Sequence, residues 1–349
     1  RDRSPSRGLG DVYKRQESSC DETSMSILKN NNELLSNVIS TQIKNHQSFG
    51  GVMPELAARL HLESVGYVLE ECIRTSNIDL KDLSAVAVTG GPGLIGGLQV
   101  GMIAAKTIAM YYNIPLLYVH HLAGHIYANE FVKPLQFPCL AVVVSGGNSQ
   151  LVYMKDHLSF EIIGETLDDA LGESLDKVAR VLGLPYPGGL AIDKLVKNHD
   201  IETIPLPKPH IDGYNLSYSG LKSHIIREID ELKRKGLFND EFVLKYATSV
   251  EHAFMEQLIN KVKKAAKDYN VKQIIIGGGV SANSYLRMRM KETFEKKYDL
   301  VLPPLWCTTD NAAMIAKVGH YLLERNIVSS LDAESRASYQ LDEFMKKSA

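Results

Sequence analysis

Short apolar runs bounded by glycines recur along the chain at 85–89, 116–119, 139–144, 274–276 and 299–302, and most lead into stretches of helical periodicity. The helical stretches include 54–74, 98–112, 168–182, 241–269 and 311–324. Strands alternating with amphipathic helices gather into a sheet that the helices cover, so the pattern reads as α/β. Near the start of each half lies a short polar turn, ESSCDETS from Glu17 and SGGNSQ from Ser145, placed to join two strands of a hairpin. Duplicated hairpins of this kind open the halves of two-lobed nucleotide folds. Unrelated tight turns look the same, and the residues leave both readings open. A chain of 349 residues exceeds the usual length of one compact domain, which favours two lobes.

No apolar run approaches the roughly 20 residues of a bilayer span, so no membrane partner is expected. The four cysteines, Cys20, Cys72, Cys139 and Cys307, are scattered without a C-x-x-C pair. That spacing argues against a disulfide frame or zinc knuckle and fits a reducing, cytoplasmic setting. The formal net charge is -2, so a nucleic-acid substrate would need a local basic patch or a partner protein. Lys261, Lys263, Lys264 and Lys267 on one helical stretch, and Arg287, Arg289 and Lys291 on another, are the patches to consider; a solvated helix face is the plainer reading of each. Residues 1–16 are polar and are set aside as a non-native or disordered leader. The polar residues 326–349 read as a loosely packed tail, and 201–218, with its prolines, as a long loop.

GPGLIG, from Gly91 to Gly96, matches the dinucleotide fingerprint literally, but no acidic residue lies between Gly91 and Glu130 to hold a ribose. A tight turn with close helix packing explains the same glycines. In HHLAGH, His121 and His125 stand four apart, so on a helix their imidazoles share one face and could ligate one metal. Two ligands are too few. Asp310, in TTDNAAMIA, is a candidate third, with an ordinary N-cap as its plain alternative. Mixed histidine and carboxylate ligation suits iron or zinc better than magnesium.

SGGNS and IGGGVSANS each follow an apolar strand, and their glycines let backbone N–H groups approach an anion. A plain loop is the alternative for either. Asp169, Glu173 and Asp176 share a helical face that could simply be solvated, yet the YPGG turn and Asp193 just beyond it suit a ribose. Ser145 lacks the G-x-S-x-G elbow of an activated nucleophile.

Taken together, ESSCDETS, GGVMPELAARLH, GPGLIGGLQVG, HHLAGH, VSGGNS, GETLDDALGESLDKVARVLGLPYPGGLAID, YSGLKS, GGGVSANSYLR and TDNAAMIA closely resemble, in family order, the tRNA adenosine threonylcarbamoyltransferases: TsaD in bacteria, with its Kae and Qri relatives. The resemblance implies a two-lobed, actin-like and Hsp70-like fold of duplicated RNase H-like domains, with 17–130 plus about 300–325 as the first lobe and 131–299 as the second. It implies one divalent metal per chain, iron ahead of zinc, on His121, His125 and Asp310. Val144, Ser145, Gly146, Gly147 and Asn148 would contact the donor, threonylcarbamoyl-AMP; Asp176, Gly189 and Asp193 would bind its nucleoside, and Asn283 its other side. Asp21 or Glu22 could accept the amine proton. The acceptor would be the adenine 3′ of the anticodon in tRNAs reading codons that begin with A, and the partners a smaller paralogous subunit and a P-loop ATPase.

Two departures stand out. Asn148 occupies a place where the family usually has His, and DVYKRQ precedes E-S-S-C-D where the family has an apolar strand. A sugar-kinase-like or chaperone-like ATP-binding module would share the fold. A metalloprotease, the reading behind the older label O-sialoglycoprotein endopeptidase, would want the H-E-x-x-H that is missing.

Overall fold

In the computed structural model the described residues are 12–30, 32–199 and 201–346. Their strands form two five-stranded sheets. The first contains β1 (Val12–Glu17), β2 (Glu22–Lys29), β3 (Glu33–Thr41), β4 (Ala85–Gly91) and β5 (Leu116–His120), in the order β3-β2-β1-β4-β5. The second contains β6 (Cys139–Val144), β7 (Ser149–Met154), β8 (Glu161–Glu165), β9 (Gln273–Gly277) and β10 (Asp299–Val301), in the order β8-β7-β6-β9-β10. In both, three antiparallel strands come first and two further strands add in parallel. The two polar turns that the sequence places in hairpins therefore occupy equivalent positions, β1 to β2 and β6 to β7, in a duplicated topology.

Ten helices accompany the sheets among the described residues: α1 (Ile43–Gln47), α2 (Pro54–Ser76), α3 (Ile95–Tyr112), α4 (His121–Tyr127), α5 (Leu171–Val181), α6 (Gly188–Val196), α7 (Ser219–Arg234), α8 (Asp240–Asp268), α9 (Ser284–Phe294) and α10 (Ala312–Glu324). The described residues divide into two compact units. One holds 12–42, 54–127 and 310–346, the other 43–53 and 128–309. In the first, Met25, Ile27, Val86 and Val88 of the sheet pack with Val68 and Cys72 of α2 and Met102 and Ala105 of α3. In the second, Leu140, Val142, Ile274 and Ile276 pack with Leu175 and Val178 of α5 and a row along α8 that includes Val250, Phe254, Leu258 and Val262. The apolar runs β4, β6 and β9 are buried along their whole length, as expected of strands covered on both faces.

Several boundaries differ from the sequence reading. Most of the excluded leader, residues 1–11, lies outside the described residues, but Val12–Glu17 is the middle strand of the first sheet, paired with β2 on one side and β4 on the other. Strand pairing is a backbone property, so a run as polar as VYKRQE takes this place once two neighbours supply its hydrogen bonds. Residues 43–53 belong with the second unit, as do residues 300–309, which the sequence reading gave to the first lobe. The expected helix at 168–182 begins only at Leu171. Asp168 instead accepts from Tyr218 N at 2.8 Å and Ser219 N at 3.2 Å, and Asp169 pairs with Lys177 and Lys222. The loop at 201–218 contains no helix or strand, though Ile204 N is tied to Ser249 Oγ.

The tail is not loose. Tyr339, Leu341 and Phe344 are buried, Ser329 N donates to Leu116 O, Arg336 N donates to Gly90 O, and the carbonyl of Tyr339 meets His120 Nε2 at 3.0 Å. Three buried side chains and these backbone bonds dock it. Phe344→Ala should therefore destabilise the protein by about 3–5 kcal/mol. Denaturant unfolding measures this, and an unchanged midpoint would show that the tail contributes nothing to the fold.

Candidate metal centre and nucleotide-binding loops

The metal candidates converge within the first unit. α4 starts directly at the end of β5, so His121 and His125 fall on one face of a short helix, with ring centroids 4.7 Å apart. Asp310 is the residue with which the chain re-enters this unit. Its Oδ1 lies 3.5 Å from His121 Nε2 and 3.2 Å from His125 Nε2, and the three ligand atoms all fall within 4.8 Å of one another. Ligands at about 2.0–2.1 Å from a tetrahedral ion sit about 3.3 Å apart, so two of the three separations suit a first-row metal without rearrangement. The helix cap of α10 is Asn311, which accepts from Met314 N at 3.1 Å. Asp310 is thereby released from the capping role that was its alternative.

Behind His121 lies a group that the sequence reading missed. Glu17 ends β1 fully buried; its Oε2 meets His121 Nδ1 at 3.2 Å and accepts from Thr89 Oγ1 at 2.5 Å, while its Oε1 accepts from Ser19 N at 2.7 Å. Ser19 Oγ adds a contact to the same imidazole nitrogen at 3.1 Å. A carboxylate on Nδ1 fixes the ring and directs Nε2 toward the ligand position. Burial alone would lower the His121 pKa, but Asp310 and Glu17 outweigh it and hold the imidazole up at about 9. Burial likewise opposes ionisation of Asp310, yet His121 and His125 hold it down at about 2. The donor set is thus a buried, charge-complementary cluster in which a cation can replace the imidazolium proton. Glu17 was visible in the sequence only as the first letter of a polar turn; its role depends on β1 ending beside α4.

Gly93 of the literal dinucleotide fingerprint and Gly97 just beyond it serve this same corner. A Cβ at Gly93 would fall 2.5 Å from Ser19 O, and one at Gly97 would fall 2.6 Å from Ser18 O. Ser18 Oγ donates to Gly97 O at 3.0 Å. Glycine lets α3 press against the turn that carries Glu17 and Ser19, which is the close-packing alternative. Asp21 and Glu22 are buried in that turn. Burial first, then the charges of Asp21 and Asp310, push the Glu22 carboxyl well up, and Thr41 Oγ1 donates to it at 3.3 Å.

The remaining candidates lie in the second unit. Val144 ends β6, and Ser145 to Asn148 form the turn into β7, closed by Ser145 N on Asn148 O at 2.8 Å and Asn148 N on Ser145 Oγ at 3.1 Å. Around Gly146 and Gly147 a Cβ would meet nothing within 4 Å among the described residues, so the side-chain face of the turn is open. Two other glycines bring neighbours up to this turn. Gly172 at the start of α5 donates to Ser145 O at 3.2 Å, and Gly278, at φ +91°, lies against Val144 O where a side chain would clash.

Asp176 accepts from Gly189 N at 3.1 Å; burial raises its carboxyl despite that bond. With Gly50, Arg180, Leu184, Pro185, Tyr186 and Gly188 it lines a small pocket. Asp193 accepts from Ser284 N at 2.7 Å and Ser284 Oγ at 2.5 Å, which ties α6 to the start of α9 beside Asn283. The structure thus groups Val144 to Asn148 at one turn, Asp176 with Gly189, and Asp193 with the Asn283 turn. Of the basic patches, Lys261 is engaged by the carbonyls of Ile211 and Gly213, Arg287 by Ser281 O, and Arg289 by Glu256 and Glu292.

A family model described as TsaD, tRNA N6-adenosine threonylcarbamoyltransferase, matches residues 33–317. The chain belongs to this family. A protein of that name from Bacillus subtilis (strain 168) is 47% identical over 332 residues, 94% of this chain and 95% of the relative. One from Staphylococcus carnosus (strain TM300) is 46% identical over 94% of this chain and 96% of its own length. Among solved structures, HypF from T. kodakarensis resembles this TsaD-family chain at a TM-score of 0.64 and 13% identity, covering 91% of this chain and 49% of that one. Component A of the Acidaminococcus fermentans (R)-2-hydroxyglutaryl-CoA dehydratase does so at 0.53 and 14%, covering 89% and 97%. These structural likenesses speak to the fold, the two-lobed α/β class of actin-like ATPases.

Glu17→Gln leaves one acceptor oxygen for donors now shared between two, and removes the charge behind His121. It should weaken metal binding by roughly 10–100-fold, measured by competition with a chromogenic chelator, while His121→Ala combined with His125→Ala should abolish stoichiometric metal. Equal metal content in the double variant and the unmodified chain would refute the ligand assignment.

Proposed function

We propose that this chain transfers a threonylcarbamoyl group from threonylcarbamoyl-AMP to the exocyclic amine of the adenine 3′ of the anticodon, in tRNAs reading codons that begin with A. The observation that carries the reading is a relative of that name 47% identical over 94% of the chain, with the His121, His125 and Asp310 cluster assembled in one unit.

In the reaction the adenine N6 attacks the carbamoyl carbon of the mixed anhydride, the bond from that carbon to the phosphate oxygen breaks, and AMP leaves with the electron pair. Phosphate is a good leaving group, so positioning and charge stabilisation dominate. The turn from Val144 to Asn148 offers the open backbone of Gly146 and Gly147 to the phosphate region. Asn148 can donate an amide hydrogen there but cannot carry the positive charge of a protonated histidine. Asp176, Gly189 and Asp193 hold the nucleoside and Asn283 its other side. Asp21 or Glu22, both buried in the turn after β1, takes the proton released by the amine. His121, His125 and Asp310 hold one divalent ion, iron ahead of zinc; when bound, it supplies Lewis-acid polarisation and orientation of oxygen ligands.

Transfer to tRNA in the cytoplasm would depend on a smaller paralogous subunit and a P-loop ATPase. Lys261, Arg287 and Arg289 are committed to internal contacts, and the net charge is -2, so a composite surface with partners is the economical source of phosphate attraction. Among the described residues no helix is long and apolar enough to cross a membrane.

The test supplies unmodified tRNA and the adenylate made with labelled threonine, with and without the small subunit and ATPase. Incorporation is expected in the complete mixture and close to none with the chain alone. Full incorporation by the chain alone would remove the partner requirement; none in the complete, metal-loaded mixture would remove the transferase reading. In calorimetry with a stable adenylate analogue, Asp176→Ala and Asp193→Ala should each lower affinity by roughly tenfold or more, the scale of losing a charged hydrogen bond. Unchanged affinity would take those residues out of the nucleoside site.

A further inference from the structure

Midway along α8 a carboxylate is buried where no motif pointed. Glu251 is 1% exposed, and its Oε1 accepts from Asn283 Nδ2 at 2.6 Å. The carboxamide of Asn283 is thereby used at both ends, because its Oδ1 caps α9 by accepting from Leu286 N at 2.8 Å. Asn283 N also donates to Val280 O at 3.0 Å, closing the short turn that follows β9. A fixed carboxamide leaves the turn in one orientation and keeps its backbone aligned with the first turn of α9. Next along the chain, Ser284 is held by Asp193 through both its backbone N–H and its hydroxyl. Two acidic side chains from two helices, Glu251 from α8 and Asp193 from α6, therefore pin consecutive residues of one loop.

We propose that Glu251 is a positioning residue for the nucleoside site: it orients Asn283 and, through it, the loop from Val280 to Ser284 that meets one side of the adenylate. The inference rests on the reading of Asp176, Asp193 and Asn283 as nucleoside ligands. Glu251 is itself too enclosed to touch the ligand, and its effect passes through the amide it holds.

Burying a carboxyl without a cation opposes ionisation, and Asp193 nearby adds to this, so Glu251 is pushed up to about 7 although Asn283 counters it. The bond to Asn283 Nδ2 asks one acceptor oxygen of Glu251. Glutamine meets that requirement and leucine does not. This separates positioning from general packing, since leucine fills a similar volume.

The experiment measures binding of AMP to the full chain by calorimetry. Glu251→Leu is expected to weaken AMP binding by roughly tenfold, which corresponds to about 1.4 kcal/mol, and Glu251→Gln to restore it to within about twofold of the unmodified protein. Asn283→Leu should cost a similar factor, and the double variant Glu251→Leu, Asn283→Leu should be no weaker than the poorer single one, because both act through the same carboxamide. Metal content, which depends on ligands in the other unit, and cooperative thermal unfolding serve as folding controls. Should Glu251→Leu not fold, the comparison of Glu251→Gln with Asn283→Leu still decides: loss of affinity in the glutamine variant equal to that in the leucine variant overturns the positioning role. AMP affinity unchanged in a folded Glu251→Leu variant, or losses that multiply in the double variant, also overturns it. If the unmodified chain does not bind AMP, the nucleoside reading falls, and this inference with it.

Discussion

Burying a carboxylate is costly unless hydrogen bonds and opposite charge accompany it, and the first unit is arranged around two such groups sharing one imidazole. Glu17 takes Nδ1 of His121, and Asp310 faces Nε2. Meeting that requirement fixes much else. β1 must end where α4 begins, Thr89 of β4 must reach the same carboxylate, and the chain must return from the second unit with Asp310 already in place. The glycines at 93 and 97 follow from it, since α3 lies against the turn whose backbone supplies Ser19 N to Glu17. Removing one member would leave the others buried and charged, so the group stands or falls together.

The pairing of His121 with His125 in the candidate metal cluster was legible because its signal is local. A spacing of four on a helix puts two imidazoles on one face whatever the surrounding fold. Asp310 was ambiguous between ligand and cap until the structure gave the cap to Asn311. Glu17, Ser19 and Glu251 were not legible, because each acts across 32 to 104 residues of sequence separation, and a single carboxyl in a polar turn or on a long helix looks solvated. The same reasoning explains the misread boundaries. VYKRQE lacks the apolar content of a middle strand, but its neighbours, and not its own side chains, provide the pairing. Asp168 looked like the first residue of a helix, yet its carboxylate accepts from the backbone of Tyr218 and Ser219, some fifty positions away. Tyr339, Leu341 and Phe344 were too few to give the tail a period, though enough to anchor it.

The two sheets use one topology for different chemistry. In the first, the turn after the leading strand is crowded with acid and lies against a helix made close by glycine. In the second, the equivalent turn has its glycines at its own tip, at 146 and 147, with open space beside them. Crowding suits a cation held by enclosed ligands, and a glycine-tipped turn lets an anion approach the backbone. Duplication supplied the strand order, and the location of the glycines, on the packing helix or in the turn itself, gives the two turns different surroundings.

Charge is distributed with a similar economy. Acidic side chains at the site candidates are occupied by the protein's own backbone and hydroxyl donors: Asp176 by Gly189 N, and Asp193 by Ser284. A ligand that displaces these donors must offer hydroxyls of comparable strength, which favours a ribose over a purely anionic group. Arg287 and Arg289, which might have offered cations at the start of α9, are already engaged by Ser281 O and by Glu256 and Glu292. On the proposed reading, the nucleoside part of the donor would meet largely neutral and acidic groups, and its phosphate the turn from Ser145 to Asn148. Such a division would select an adenylate by its sugar and base and leave the phosphate only lightly held, which is the arrangement a leaving group requires.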